Sequence, residues 1–282
     1  MACWVDRKVT ARLQWRVGPP WYQNFVDIVK LLGKETIVPE GARWTFLLAP
    51  FAGLLSLVLV TTILGEALLS PAQSFMGDVI VVLYLLAIPA IALIVGASSS
   101  RNPLASVGAS REMKLLLAYE LPFILSVITV IIKSGGALQF GQILEHQQDF
   151  GSHIGYFSGG LACGVAVLCA TAKLGLGPFE IAEAEQEIMG GTLIEYSGFP
   201  LALFKLSKAM LLYCMPVLLI VLFLGKDTSP LFVIAKFVAI VVIFILIKNT
   251  NPRLRIDQAM RFFWGPVTVL AIMAAGLALM GL

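Results

Sequence analysis

The chain has 282 residues, of which 59% are hydrophobic and only 13% charged, against about 25% charged in an ordinary soluble domain. Its net charge of +3 leaves no electrostatic footprint for nucleic acid. Composition therefore excludes a soluble enzyme and predicts an all-α fold, a polytopic transmembrane helix bundle.

Residues 1–45 are polar and basic, carrying Arg7, Lys8, Arg12, Arg16, Lys30, Lys34 and Arg43. The chain opens without a signal peptide, and its first residues read as the tail end of a membrane helix. Gly18-Pro19-Pro20 is a rigid turn. Val26, Val29, Leu31 and Leu32, set against Asp27, Lys30 and Lys34, predict a short amphipathic helix at the interface. Residues 46–282 then form the transmembrane domain. Seven apolar segments approach the roughly 20 residues needed to cross a bilayer: 46–69, 78–96, 114–132, 157–176, 200–224, 230–248 and 262–281. Pro50, Pro89, Pro122 and Pro216 lie within or near them, which membrane helices tolerate. Gly155-x-x-x-Gly159 and Gly160-x-x-x-Gly164 suggest close helix packing.

Fifteen of the twenty Lys and Arg residues fall on one side of these spans, and only Lys133 and Lys226 on the other. The positive-inside rule then places the N-terminal segment and the loop 177–199 in the cytoplasm and the C-terminus outside, in a plasma membrane. Lys205, Lys208, Lys236 and Glu120 sit inside apparent spans. Ionisable groups at that depth are costly and mark candidate ion paths. The plainer alternatives are snorkelling for Lys205 and Lys208 and a buried ion pair for Lys236 and Glu120. Four cysteines and two histidines offer no metal or cluster spacing, so no redox centre is expected on this chain.

The acidic stretch 177–191 stands out in so apolar a chain. Pro178 suits a helix start and Gly190-Gly191 a stop. At about 100° per residue, one helix here would put Glu180, Glu183 and Glu187 on one face within about 60°. Glu185 would project among Ile181, Ile188 and Met189, in a drier setting. Crowded carboxylates cannot all ionise, so such a group couples a nearby charge to proton uptake. The plainer alternative is a solvated, subunit-binding face.

Five blocks resemble the membrane-subunit family shared by respiratory complex I (the NuoH type) and energy-converting [NiFe] hydrogenases. They are Asp6-Arg7-Lys8-Val9-Thr10-Ala11-Arg12-Leu13-Gln14 with Arg16-Val17-Gly18-Pro19; Lys30-Leu31-Leu32 through Lys34-Glu35, with Ala49-Pro50; Arg111 with Tyr119-Glu120; Pro178-Phe179-Glu180-x-x-Glu183-x-Glu185-x-Glu187 with Glu195-Tyr196; and Arg253-x-Arg255-x-Asp257-Gln258. The short run after Gly18-Pro19 and the wording Glu183-Ala184-Glu185-Gln186-Glu187 look like the hydrogenase branch, such as the Ech-type B subunit. Family members carry a further helix ahead of the Asp6-Arg7-Lys8 block, so eight spans become seven here.

The resemblance implies a subunit that docks the hydrophilic arm and couples ferredoxin-dependent hydrogen evolution to proton or sodium translocation. Implied partners are the [NiFe] large and small subunits, antiporter-like membrane subunits, ferredoxin through the complex, and lipid. The [NiFe] centre and iron–sulfur clusters would reside in those partners. Ion-path candidates are Glu112, Glu120, Glu180, Glu183, Glu185, Glu187, Glu195 and Lys236. Arg12, Arg16, Asp27, Arg111, Lys173, Arg253, Arg255 and Asp257 are candidates for charge balance or interface. Two rival readings are a quinone-reducing complex I subunit and a stand-alone ion transporter, the latter without a convincing internal repeat.

Overall fold

A computed structural model describes residues 2–42, 44–183, 185–227 and 229–281, with the side chains of Ala72, Glu185 and Gln186 outside that description. Among the described residues the chain is helical and carries no strand. In order run α1 (Ala2–Leu13), α2 (Gln23–Leu32), α3 (Trp44–Leu69), α4 (Asp78–Ser99), α5 (Pro103–Lys133), α6 (Phe140–Phe150), α7 (Phe157–Lys173), α8 (Glu185–Ile188), α9 (Gly198–Phe223), α10 (Pro230–Thr250), α11 (Ile256–Phe262) and α12 (Thr268–Leu279). Among the described residues, six helical stretches are long and apolar enough to cross a membrane. The fourth span of the sequence reading is α7, only 17 residues long, or about 26 Å at 1.5 Å per residue.

Helices apolar all round are buried in protein or lipid. α9 is the protein-buried one: nearly every residue from Leu211 to Phe223 is covered. α3 packs on α4 and α9, and α5 lies among α4, α7 and α12. Exposed Leu55, Tyr84, Leu117 and Ile243 face outward, as lipid contact requires. α1 packs on α10 and α9, and α2 on α9, so these two helices cover one end of the bundle. Prolines 50, 89, 122 and 216 all fall inside helices.

Three sequence expectations change. α5 begins at Pro103 rather than near 114, because the Asn102 side chain caps it by accepting from the Leu104 N–H (2.9 Å). Arg111 is therefore helical, not in a loop. The last span starts at Ile256 and passes through a π-turn at Phe263–Val267, which carries Pro266. Thr268 Oγ1 donates to the Phe263 carbonyl (2.6 Å), supplying a bond where the ladder is broken. Finally, the glycine spacing at the start of α7 is not a helix-packing motif. A Cβ at Gly159 would overlap the His153 carbonyl, whereas Gly155 and Gly164 have nothing within 4 Å. The small residue serves a tight turn into α7.

At this end of α7, opposite the acidic loop, His153 is buried (1% exposed) and Ser134 Oγ lies 3.2 Å from its Nε2. His146 stacks on it with centroids 5.5 Å apart. Burial first, then His146 and Lys133, push His153 down to about 4. The unfolded imidazole titrates near 6.5. His153 thus adds stability that is present above pH ~6.5 and is lost as pH falls toward 4, on the order of 3 kcal/mol. Melting of the protein in detergent should show this acid sensitivity, and His153→Gln should flatten it. Equal pH dependence in both proteins would refute the assignment.

Candidate functional site: a carboxylate cluster at one end of the bundle

The acidic stretch does not form one helix. Among its described residues α-helix is confined to Glu185–Ile188, residues 177–183 are turns and irregular chain, and a 3-10 turn begins at Gly191. Apolar anchoring explains this. Phe179 is buried against Phe262 and Phe263 with centroids at 6.1 and 4.9 Å, and the Leu254 N–H donates to the Pro178 carbonyl (3.1 Å). Ile181, Ala182 and Ile188 are buried as well, while Met189 is exposed. A continuous helix would set three carboxylates side by side; the turns instead deliver each to its own cation.

Glu180 meets Arg253 of the segment before α11 at 3.4 Å. Glu183 meets Lys208 of α9 at 2.6 Å. Glu187 meets Arg111 of α5 at 2.5 Å. The Glu180 and Glu187 pairs are solvated, and such pairs contribute about 0–1 kcal/mol each. Deeper in, Lys173 of α7 lies 3.1 Å from Glu120 Oε2, with its own side chain 1% exposed. Its Nζ donates to Oε1 (3.4 Å), and Oε2 accepts no hydrogen bond among the described residues. The rings of Phe123 and Tyr119 stand 5.0 and 5.6 Å from the same ammonium.

Between the loop and the helices lies a cavity of about 100 Å³. Glu112, Lys173, Glu180, Glu183, Lys205 and Lys208 supply its charge and Leu86, Phe179, Phe204 and Leu211 its apolar walls. Glu112 makes no hydrogen bond or ion pair among the described residues. A second cavity of about 300 Å³ lies behind α1 and α2, lined in part by Asp6, Arg7, Asp27, Glu180, Lys205 and Lys248.

Not every sequence candidate joins the cluster. Glu195 accepts from Asn102 Nδ2, so it bolts the end of the loop to the start of α5. Lys236 donates to the carbonyls of Leu224 and Asp227 (2.6 and 2.8 Å), capping α9 at the opposite end. Arg12 and Arg16 are exposed beyond the cavities. Asp27 pairs with Arg7 at 3.1 Å, and the Gln23 amide followed by Arg7 hold its carboxyl below the usual range. Arg255 and Asp257 belong to the exposed first turn of α11, where the Arg255 N–H donates to Gln258 Oε1 (3.1 Å). The Glu185 side chain lies outside the described residues. Sequence reasoning missed Lys208 as the partner of Glu183; its only signal was a pair of lysines, Lys205 and Lys208, on an otherwise apolar helix. Among the described residues no group of three or more His, Cys, Asp or Glu could hold a metal ion.

Comparison with known proteins gives the same frame. A family model described as NADH dehydrogenase matches residues 1–279. The H subunit of NADH-quinone oxidoreductase from Geobacillus sp. (strain WCH70) is 33% identical over 296 residues, covering 96% of this chain and 86% of that protein. Its counterpart from Anoxybacillus flavithermus is 33% identical over 279 residues, covering 92% and 82%. Among solved structures, a chain of the membrane-bound sulfane sulfur reductase, an archaeal respiratory membrane complex, is 30% identical with a TM-score of 0.90. That likeness covers 98% of this chain and 93% of the archaeal one. The chain therefore belongs to the NADH dehydrogenase family of membrane subunits, which includes the H subunit of NADH-quinone oxidoreductase.

Proposed function

We propose that this chain is the membrane-anchoring, ion-path subunit of an energy-converting [NiFe] hydrogenase complex. It couples ferredoxin-dependent hydrogen evolution in partner subunits to proton or sodium translocation. One observation carries the ion-path reading: carboxylates and ammoniums run from the exposed loop into the bundle. The order is Glu187 and Glu180 at the rim, Glu183 with Lys208, Glu112, then Glu120 with Lys173. A proton taken up at the rim meets acceptors at every stage. The unpartnered Glu120 Oε2 gives it somewhere to go. The solvated end of the path is the surface that the hydrophilic arm would cover.

The hydrogenase partner rests on the short connection of residues 14–22 between α1 and α2 and on the wording of the acidic loop. The cluster end would face the cytoplasm by the distribution of Lys and Arg. Glu183→Gln tests the path, because Glu183 is partly exposed and Gln keeps a hydrogen bond to Lys208. In vesicles carrying the complex, ion transport should fall by roughly tenfold or more while assembly persists. Wild-type transport would sink the reading.

A second reading is quinone reduction, favoured by the names of the bacterial relatives and by the roughly 300 Å³ cavity behind α1 and α2. Inhibition of the complex by a quinone analogue would select it.

A further inference from the structure

The two cavities meet at Lys208. Leu174, Gly175, Glu180, Lys205 and Lys208 line both of them. Gly175 turns the chain there with φ +59°, and a Cβ added to it would stand 3.9 Å from Lys208 Nζ. The ammonium therefore lies at the partition, on a long stem that lysine can swing. Three carboxylates act on it: Glu183, which it holds at 2.6 Å; Glu180, which lines both cavities and is held by Arg253 at a looser 3.4 Å; and Glu112, which lines the first cavity alone.

We propose that Lys208 is a positioning residue: a movable counter-ion that pairs with Glu183 in one state and Glu180 in the other, and so sets when Glu183 binds a proton. The proposal rests on the ion-path reading. With the ammonium on Glu183, an ionised carboxylate is favoured. When the ammonium swings to Glu180, the partition opens and the Glu183 carboxylate takes up a solvent proton that arrives through the second cavity. Return of the ammonium expels that proton to the ionised Glu112, which lines the first cavity beside Glu183. Lys208 keeps its own proton throughout, so one proton crosses from the second cavity to Glu112.

Other charges face this junction. Glu112 comes from α5, Lys173 from α7, Lys205 from α9 and Arg253 through Glu180. Across the second cavity, Asp6 is tied to Lys248 at 3.1 Å and Asp27 to Arg7. These ties hold Asp6 and Asp27 away, and Glu180 rather than Glu112 lines both cavities, which makes it the alternative partner.

The test uses the whole complex in vesicles, with ions moved per electron measured against pH. Lys208→Gln should lower the ratio by about tenfold. It should also move the acid limb of the transport profile upward, because the cation that favours the ionised carboxylate is gone. Lys208→Arg should leave that limb in place yet lower the ratio, since the guanidinium fork grips Glu183 more rigidly. A wild-type ratio and profile in Lys208→Gln, with transport lost in Glu183→Gln, overturns the proposal and spares the ion path. Normal transport in both Lys208→Gln and Glu183→Gln overturns the ion path itself. Should Lys208→Gln fail to assemble, a wild-type ratio in Lys208→Arg overturns the movable counter-ion.

Discussion

Glu120→Gln is expected to destabilise the protein by about 3–5 kcal/mol, the cost of leaving a buried charge without its partner. The Lys173 ammonium is 1% exposed, and without the Glu120 carboxylate it keeps only a neutral amide and two aromatic faces. Lys173→Met should cost less. It leaves the carboxylate, whose side chain is 22% exposed, and fills the ammonium's apolar surroundings with a thioether. The double variant should recover most of the loss, because replacing both partners leaves no orphaned charge. Thermal unfolding of the three variants in detergent measures the cycle. A Glu120→Gln protein as stable as wild type would show that the pair is not closed off from water. The asymmetry also chooses the functional experiment. A transport defect in Glu120→Gln would be mixed with misfolding, whereas Glu183 sits in a wetter pair and gives the cleaner readout.

Gly191→Ala should have the second large effect, and a local one. Gly191 has φ +51°, and a Cβ there would lie 2.1 Å from the Ala182 carbonyl and 2.6 Å from the Ile188 side chain. Backbone meets backbone at this point, so the loop cannot yield by turning a rotamer. Overpacking costs about 1–3 kcal/mol, and the left-handed conformation adds about 1–2 kcal/mol for a residue with a Cβ. The neighbouring Gly190 has φ +93° with nothing within 4 Å, so Gly190→Ala meets only the conformational cost. Hydrogen exchange across residues 180–195 should rise sharply in Gly191→Ala and modestly in Gly190→Ala. Equal protection in both would mean that the loop is not closed on itself at Ala182.

Much of the architecture is written in the chain as a one-dimensional code. Long apolar runs must bury their backbone polar groups internally, and a helix is how a single segment does so. Six long helices and the shorter α7 therefore appear where hydropathy places them. The amphipathic run near Val26–Leu32 becomes α2 for a related reason, since its polar and apolar faces separate only in a helix. Boundaries were less legible. The cap at Asn102 and the π-turn at Phe263–Val267 lie outside hydropathy, so α5 and the last span start earlier than their greasy segments.

The site divides in the same way. Clustered glutamates in a chain 59% hydrophobic announce a functional loop, and the sequence by itself determined their number, their family setting and their place between two spans. Helical periodicity failed inside that loop because tertiary contacts outweigh it. Burying Phe179 against Phe262 and Phe263, and separating three carboxylates onto three cations, favours turns over a helix with an acidic stripe. Pairing was beyond the sequence for the same reason. Lys208 lies 25 residues from Glu183, and Lys173 lies 53 from Glu120. Lys236 looked like a member of the path from its depth in a span, yet it caps α9 at the far end. A charge on a helix has a known depth once the helix is known; its partner depends on which neighbouring helix faces it, and only the packed bundle decides that.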